Sequence, residues 1–369
     1  MPSEGTRAVH AGLPPAHPDR PFLDGPVFAG TYHQIGDPTG PYAYGRYANP
    51  TWAALESAVA ELEGAADAVV FASGMAAVSG TLLALAEPGH IVVLPSDGYP
   101  ATRTVGAHLA ARGVTVRSAP TAGDAQAAEL AGADLLWLET PSNPGLDVCD
   151  IARLAGLARA EGALVAVDNS LATPLGQQPL ALGADISVAS GTKALTGHSD
   201  ILLGYVACAD QAVADRIRGW RTLTGGIPGP MEAWLAHRSL ATLHLRLDRQ
   251  AANALALAEL LTARPEAADV RHPGRPGDAA HELASRQMRR FGCIVSFTLA
   301  DTATAERFLD ALELVAEATS FGGVHSIAER RGRWPGDDVP PGFVRFSVGC
   351  EDTEDLLADV VDALGKACG

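Results

Sequence analysis

No apolar run in this chain approaches the roughly 20 residues that a membrane-spanning helix needs, so a helical membrane protein is excluded. Met1 to Arg20 are proline-rich and polar and lack the apolar centre of a secretory signal, which leads us to expect a cytoplasmic protein. Basic charge is scarce. Lys and Arg number 27 against 43 Asp and Glu, for a formal net charge of -16. A surface of that sign repels phosphate backbones and argues against a nucleic-acid partner. Cysteine is sparse as well. Cys149, Cys208, Cys293, Cys350 and Cys368 are scattered, odd in number and form no C-x-x-C pair. They read as small buried hydrophobes with reduced thiols, and no metal site is expected. What is plentiful is apolar: 47% of 369 residues, enough for a large core and two domains.

The first fifty residues show no clear helical period and read as an irregular arm. Such an arm buries little by itself, so it is expected to lie on another surface. From Thr51 the pattern changes. Leu55, Val59 and Leu62 recur at helical spacing, closed by Gly64. Apolar runs at Ala68–Phe71, Ile91–Leu94, Val114–Arg117, Leu135–Leu138, Leu164–Val167 and Ile186–Val188 read as buried strands. Helical segments such as Met75–Leu85 and Ile151–Ala160 lie between them. This alternation predicts a mainly parallel sheet covered on both faces, with ligands beyond the carboxyl ends of its strands. Trp234–Leu261 reads as one long helix able to bridge two domains. After it, Cys293–Leu299 and Phe343–Val348 alternate like half-exposed strands, and Ala303–Leu312 and Thr353–Leu364 look helical. The division we expect is an arm (1–50), a large domain (51–240) and a smaller C-terminal α/β domain (241–369).

Four segments carry candidate chemistry, each after a predicted strand. Ser190, Thr192 and Lys193 follow Ile186–Val188. An imine-forming lysine must be partly neutral and so needs a sheltered, electropositive pocket, and the two hydroxyls can donate to a phosphate. Ser73-Gly74-Met75 make a strand-to-helix turn of small residues, suited to a phosphate at a helix N-terminus. Asp168 ends an apolar strand, where an acid can hold a pyridine nitrogen protonated. Asn143 ends another, with an amide able to reach a ring hydroxyl. Taken singly, each has an ordinary reading: a surface lysine, a Ser-Gly turn, a helix cap, a turn residue. In chain order they reinforce one another.

With these motifs the sequence resembles the Cys/Met-metabolism enzymes that use pyridoxal phosphate (PLP), among them cystathionine γ-lyase, cystathionine γ-synthase and methionine γ-lyase. The resemblance runs from about Gly5 to Ala363. The lysine segment nearly repeats the family signature, departing at Ala194, and Tyr44-Gly45-Arg46 with Asn49-Pro50-Thr51 is similar to another family motif. The resemblance implies a fold type I, PLP-dependent transferase-like architecture. It implies that Lys193 forms the imine with pyridoxal 5'-phosphate and shuttles protons, and that Asp168 pairs with the ring nitrogen. Asn143 would contact the ring oxygen and Tyr99 would stack on the ring. Gly74, Met75, Ser190 and Thr192 would hold the phosphate. Tyr44 and Arg46 would reach the phosphate of a neighbouring subunit, in a dimer or homotetramer with shared sites. Ser320 and Thr319 would line the substrate pocket, and Arg345 would clamp the substrate's α-carboxylate through its two-pronged fork.

Two departures bear on the substrate. Cystathionine-handling members often carry a glutamate before the serine of the Ser320-Phe321-Gly322-Gly323 stretch, where this chain has Thr319. A hydroxyl cannot balance a distal ammonium as a carboxylate can. Where the family usually continues to His-Pro-Ala, this chain has Glu329 followed by Arg330, Arg331 and Arg333. That basic run reads either as a solvated face or as an attractor for an anionic group at the site mouth. The expected activity is γ-elimination from a γ-substituted L-amino acid, as in trans-sulfuration, releasing a 2-oxo acid and ammonia. The alternatives are γ-replacement on an activated homoserine and a specialised lyase that expels another group such as halide. A PLP-binding protein without turnover is a further possibility, disfavoured by the complete Tyr99, Asp168, Lys193 and Arg345 set.

Overall fold

Short apolar runs become the strands of a sheet and the segments between them become its covering helices. The computed structural model describes residues 2–37 and 39–369. Strands β1 (Asp67–Phe71), β2 (Ile91–Pro95), β3 (Thr115–Ala119), β4 (Leu135–Glu139), β5 (Leu164–Asp168), β6 (Ile186–Ala189) and β7 (Gly204–Cys208) form one sheet in the order β1-β7-β6-β5-β4-β2-β3. The pairs β2–β3, β2–β4, β4–β5 and β5–β6 are parallel. Strand β7 runs antiparallel to β6 and to β1. Parallel neighbours need a long crossover, whereas β6 returns into β7 at the same edge of the sheet. The segment making that return carries Lys193. The carboxyl ends of β1, β2, β4, β5 and β6 therefore open on one edge, and the segments carrying Ser73-Gly74-Met75, Asn143, Asp168 and Lys193 lie there.

The helices are α1 (Glu4–His10), α2 (Pro50–Glu63), α3 (Gly74–Leu85), α4 (Pro100–Ala110), α5 (Ile151–Ala160), α6 (Thr173–Gly176), α7 (Gln211–Thr224), α8 (Pro230–Leu240), α9 (Leu243–Thr262), α10 (His281–Gln287), α11 (Thr302–Ala311) and α12 (Thr353–Cys368). Asn49 caps α2 through its side chain, accepting from the Thr51 amide at 2.8 Å, and Gly64 ends the helix at φ 68°. Successive strand residues face opposite sides. Val92, Leu94 and Trp137 pack under α3, while Val93, Leu136 and Leu138 pack with Leu154 and Ala158 of α5.

A second sheet, β8 (Ala268–Arg271), β9 (Ile294–Thr298), β10 (Ala316–Glu317), β11 (Ile327–Arg330) and β12 (Phe343–Ser347), has the order β10-β11-β12-β9-β8. Its apolar face (Val295, Phe297, Val344, Phe346) packs on α9, α11 and α12. Helix α9 joins the two halves: Leu243 and Leu247 belong to the first core, Ala254, Leu257 and Leu261 to the second.

Three details differ from the sequence reading. The arm contains a short helix, α1, whose Ala8 is buried against the first core. The expected helix Trp234–Leu261 is two helices, broken at Thr242 (φ -108°, ψ 4°). Arg246 satisfies the break by donating to the carbonyl of Ser239 at 3.0 Å. Strand β12 is buried on both faces rather than one. Its polar face, with Arg345 and Ser347, turns toward the first sheet instead of solvent.

Candidate active site

The strand ends and the polar face of β12 enclose a cavity of about 300 Å³. At one end lies the start of α3. Ser73 caps it, its hydroxyl accepting from the Ala76 amide at 3.1 Å. The opening amides of a helix have no intrahelical acceptor and carry the positive end of its dipole. Gly74 is needed here for space, since a Cβ would stand 2.6 Å from the Cβ of Ser190. Gly204 is equally confined, its virtual Cβ 2.2 Å from the Ser73 carbonyl oxygen. These close approaches bring Gly74, Met75 and Ser190 onto one wall, a cradle suited to a phosphate. Thr192 also lines the wall. Its hydroxyl is engaged with Leu203, donating to the carbonyl at 3.1 Å and accepting from the amide at 2.9 Å.

The floor is acidic. Asp168 ends β5 and accepts from the Ser170 amide at 3.0 Å. Beside it in register, at the end of β4, is Glu139. Burial, and then the charge of Asp168, hold the Glu139 carboxyl well above the usual range. Burial also raises Asp168, against the pull of Lys193. Two adjacent buried carboxyls raise each other's affinity for a proton. Lys193 favours charge on Asp168. Glu139 also takes the backbone amide of Tyr99 at 2.7 Å, which fixes the tyrosine at the cavity rim.

Lys193 stands opposite. Its Nζ donates to the Ser320 hydroxyl at 2.7 Å and lies 4.9 Å from the centre of the Phe321 ring. Burial, then the nearby charge of Arg345, lowers its pKa to about 8. The lysine segment is braced from behind by Arg246, which donates to the carbonyls of Ala194 (2.6 Å) and Leu195 (3.0 Å). Arg345 closes the cavity. Its Nη1 donates to Asn143 Oδ1 at 2.8 Å and its Nη2 to the Ser320 carbonyl at 2.9 Å, with an ion pair to Glu329. Asn143 thereby keeps its NH₂ as a donor for another acceptor. Thr319 lies on the same wall, its hydroxyl 3.4 Å from Glu329 Oε1.

The fold brings together Gly74, Met75, Tyr99, Asn143, Asp168, Ser190, Thr192, Lys193, Thr319, Ser320 and Arg345. It does not bring in Tyr44 and Arg46. They lie on the arm, where Arg46 sits 4.9 Å from the Tyr47 ring centre and donates to the Thr222 carbonyl. Glu139, Arg246 and Glu329 were not among the site residues expected from sequence, and Arg331 was read there only as part of a basic run, either a solvated face or an anion attractor. Glu139 had a legible signal, a carboxyl ending an apolar strand as Asp168 does. Arg246 had none within its helix.

The chemistry of this lining fits pyridoxal phosphate: a tight Gly74–Ser190 contact suited to an anion, the acid Asp168 suited to a basic ring nitrogen, and the Lys193 amine in the same cavity. A family model described as "Cys/Met metabolism PLP-dependent enzyme" matches residues 26–365. The chain is 62% identical to "Putative cystathionine gamma-lyase" of Streptomyces coelicolor, over 99% of this chain and 94% of that one. It is 38% identical to cystathionine gamma-synthase of Mycobacterium tuberculosis, over 98% and 96%. Among solved structures, metB from Corynebacterium glutamicum superposes with a TM-score of 0.95 at 36% identity, covering 99% of this chain and 98% of that one.

Proposed function

From the premise that this chain belongs to the Cys/Met metabolism PLP-dependent enzymes, we propose that it catalyses γ-elimination from a γ-substituted L-amino acid. The products are a 2-oxo acid, ammonia and the released substituent. The observation that carries the reading is the double use of Ser320. Its hydroxyl holds the Lys193 amine and its carbonyl holds the Arg345 guanidinium. An amino acid whose carboxylate is clamped by Arg345 therefore has its α-carbon beside a lysine able to act as a base.

Pyridoxal phosphate, when bound, supplies an electron sink for negative charge at the α-carbon. The protein's residues do the rest. Gly74 and Met75 offer backbone amides to the phosphate, with Ser190 and Thr192 beside them. Asp168 would keep a proton on the ring nitrogen, the Asn143 amide would donate to the ring oxygen, and Tyr99 would pack on the ring. The Lys193 amine, with its lowered pKa, removes the α-proton, and in γ-chemistry it also serves the β-carbon. Arg345 fixes the carboxylate throughout. The arm (1–50) extends to a neighbouring subunit, where Tyr44 and Arg46 reach the phosphate, so the active unit is a dimer or tetramer of shared sites. The large domain (51–240) holds the cofactor and the small domain (241–369) supplies Ser320 and Arg345. A cytoplasmic location accords with five cysteines that form no disulfide among the described residues.

Elimination is favoured by the name of the 62% identical relative. Thr319 supports a substrate range not limited to cystathionine, because the carboxylate its hydroxyl contacts, Glu329, is already neutralised by arginines. The test is a panel: cystathionine, methionine and an acylated homoserine, each with and without cysteine. Elimination predicts 2-oxo acid from all conditions with an accepted substrate. A thioether product that forms only with cysteine, and no 2-oxo acid without it, would establish γ-replacement instead.

A further inference from the structure

The basic run after β11 divides into three different fates. Arg330 turns outward to Glu306 at 3.1 Å, and Arg333 pairs with Glu317 at 2.5 Å. Arg331, opening a short 3₁₀ turn, points inward. It is 6% exposed and shares the cavity wall with Lys193 and Arg345. Its guanidinium is held by two buried carboxylates. Asp337 accepts from Nε at 2.7 Å and lies 2.5 Å from Nη2, and Glu329 accepts from Nη1 at 2.8 Å. Three of the five N–H groups of an arginine are thereby directed. One on each terminal nitrogen is left for a ligand.

Glu329 Oε1 also takes the Nη2 of Arg345. The two guanidinium groups are thus separated by no more than two hydrogen-bond lengths across a shared oxygen. They are not equivalent. Arg345 hydrogen-bonds to Ser320 and Asn143, next to Lys193, whereas Arg331 hydrogen-bonds to neither and is tied to that group through the shared Oε1 of Glu329. Arg345 is accordingly the partner for a carboxylate on the α-carbon, and Arg331 for a group farther along the substrate. Both carboxylates of this corner are paired with arginine, Asp337 with Arg331, and Glu329 with Arg331, Arg345 and, at 3.7 Å, Arg333. An anion arriving at Arg331 meets no unpaired carboxylate, and the adjoining wall offers the neutral Thr319.

We infer that Arg331 is a specificity-determining residue that takes a carboxylate carried on the substrate's γ-substituent. The inference rests on the γ-elimination reading above, and it names the substrate class as γ-substituted amino acids whose leaving group carries a carboxylate. A fixed guanidinium gives such a group two donors without reorganisation. A neutral substituent of the same shape leaves those donors dry and unpaired, which is the stronger source of discrimination.

The experiment compares the carboxyethyl thioether of homocysteine with its propyl counterpart, which differ only by carboxylate against methyl. Both are tested on the holoenzyme by kcat/KM for 2-oxo acid release and by Kd from the change in cofactor absorbance. The wild-type protein should favour the carboxyethyl compound by at least about tenfold in both measures, the scale set by leaving buried polar groups unpaired. The double variant Arg331→Gln/Asp337→Asn removes the cation together with the carboxylate it neutralises, and should bring both ratios to near parity. Arg331→Lys, which keeps the charge but loses the fork, should lower both ratios by about threefold or more, and it decides the matter if the double variant does not fold. A wild-type ratio near one, or a ratio unchanged in the variants, overturns the inference. If neither compound yields 2-oxo acid, the γ-elimination reading fails, while the Kd ratio still decides the role of Arg331.

Discussion

At the scale of single residues the site depends on shifted protonation. The chain contains two lysines, Lys193 and Lys366, and Lys366 is exposed beside Glu313 on the far helix α12. Borohydride reduction of the holoenzyme should therefore place the cofactor on Lys193 alone, read by peptide mapping, and Lys193→Ala should abolish turnover. With its pKa lowered to about 8, the Lys193 amine is mostly protonated below that pH and mostly neutral above it. Only the neutral form attacks an aldehyde. The rate of cofactor uptake by the apoprotein should thus rise with pH and level off above about 8. A flat profile between pH 6 and 9 would count against the free lysine as the capturing group. Asp168→Asn should fold and still bind cofactor, because the phosphate cradle is untouched. It should lose at least about a hundredfold in kcat, the usual effect of removing an acid–base partner. A loss below tenfold would place Asp168 outside the ring site.

At the scale of elements, the register of β4 and β5 sets Glu139 beside Asp168, a pairing that neither strand's sequence reveals alone. A comparable buried acid links α2 to the sheet behind the site. Glu63 accepts from Tyr205 at 2.6 Å and from Ser187 at 3.1 Å, and burial lifts its pKa to about 7. A carboxyl whose folded pKa exceeds its unfolded value stabilises the fold fully below the unfolded pKa. That contribution is lost as pH rises through the folded one. Above pH 7 the ionised form thus costs up to about 3 kcal/mol. Glu63→Gln keeps an acceptor without the charge. Its thermal midpoint should exceed that of the wild-type protein at pH 8, and the difference should vanish below about pH 5. The reverse trend would show Glu63 ionised at no cost.

At the scale of the whole molecule, the cavity of one chain lacks two residues of the expected set. Tyr44 and Arg46 lie on an arm with large exposed apolar side chains, among them Phe22, Phe28 and Ile35. Exposed apolar groups of this size mark a surface suited to contact with another subunit, as the proposed shared site requires. Mixing Arg46→Ala subunits with Lys193→Ala subunits should restore activity, because one site of each mixed dimer holds both wild-type residues. Activity that stays absent after subunit exchange is confirmed by mass would argue for self-contained sites.

Local physics made much of this legible from the chain alone. Apolar runs located the first six strands to within one or two residues, because five of them are buried on both faces, while β3, at the sheet edge, is half-exposed. Small residues after β1 and β6, and the acid after β5, marked the sheet edge that holds the cavity. The family resemblance supplied the roles. The short strands β8, β10 and β11 were missed because they carry little apolar signal, and the return strand β7 was not read from the sequence although it is apolar and fully buried. Nor was the break between α8 and α9, which depends on Arg246 reaching a carbonyl seven residues earlier. The basic run was ambiguous for the same reason. Spacing shows that Arg330, Arg331 and Arg333 are near one another, but direction depends on where β11 ends and which carboxylates await. Only the packing of the second sheet against the first turns Arg331 and Arg345 inward onto one glutamate, because opposite faces of a strand are equivalent until another surface covers one of them.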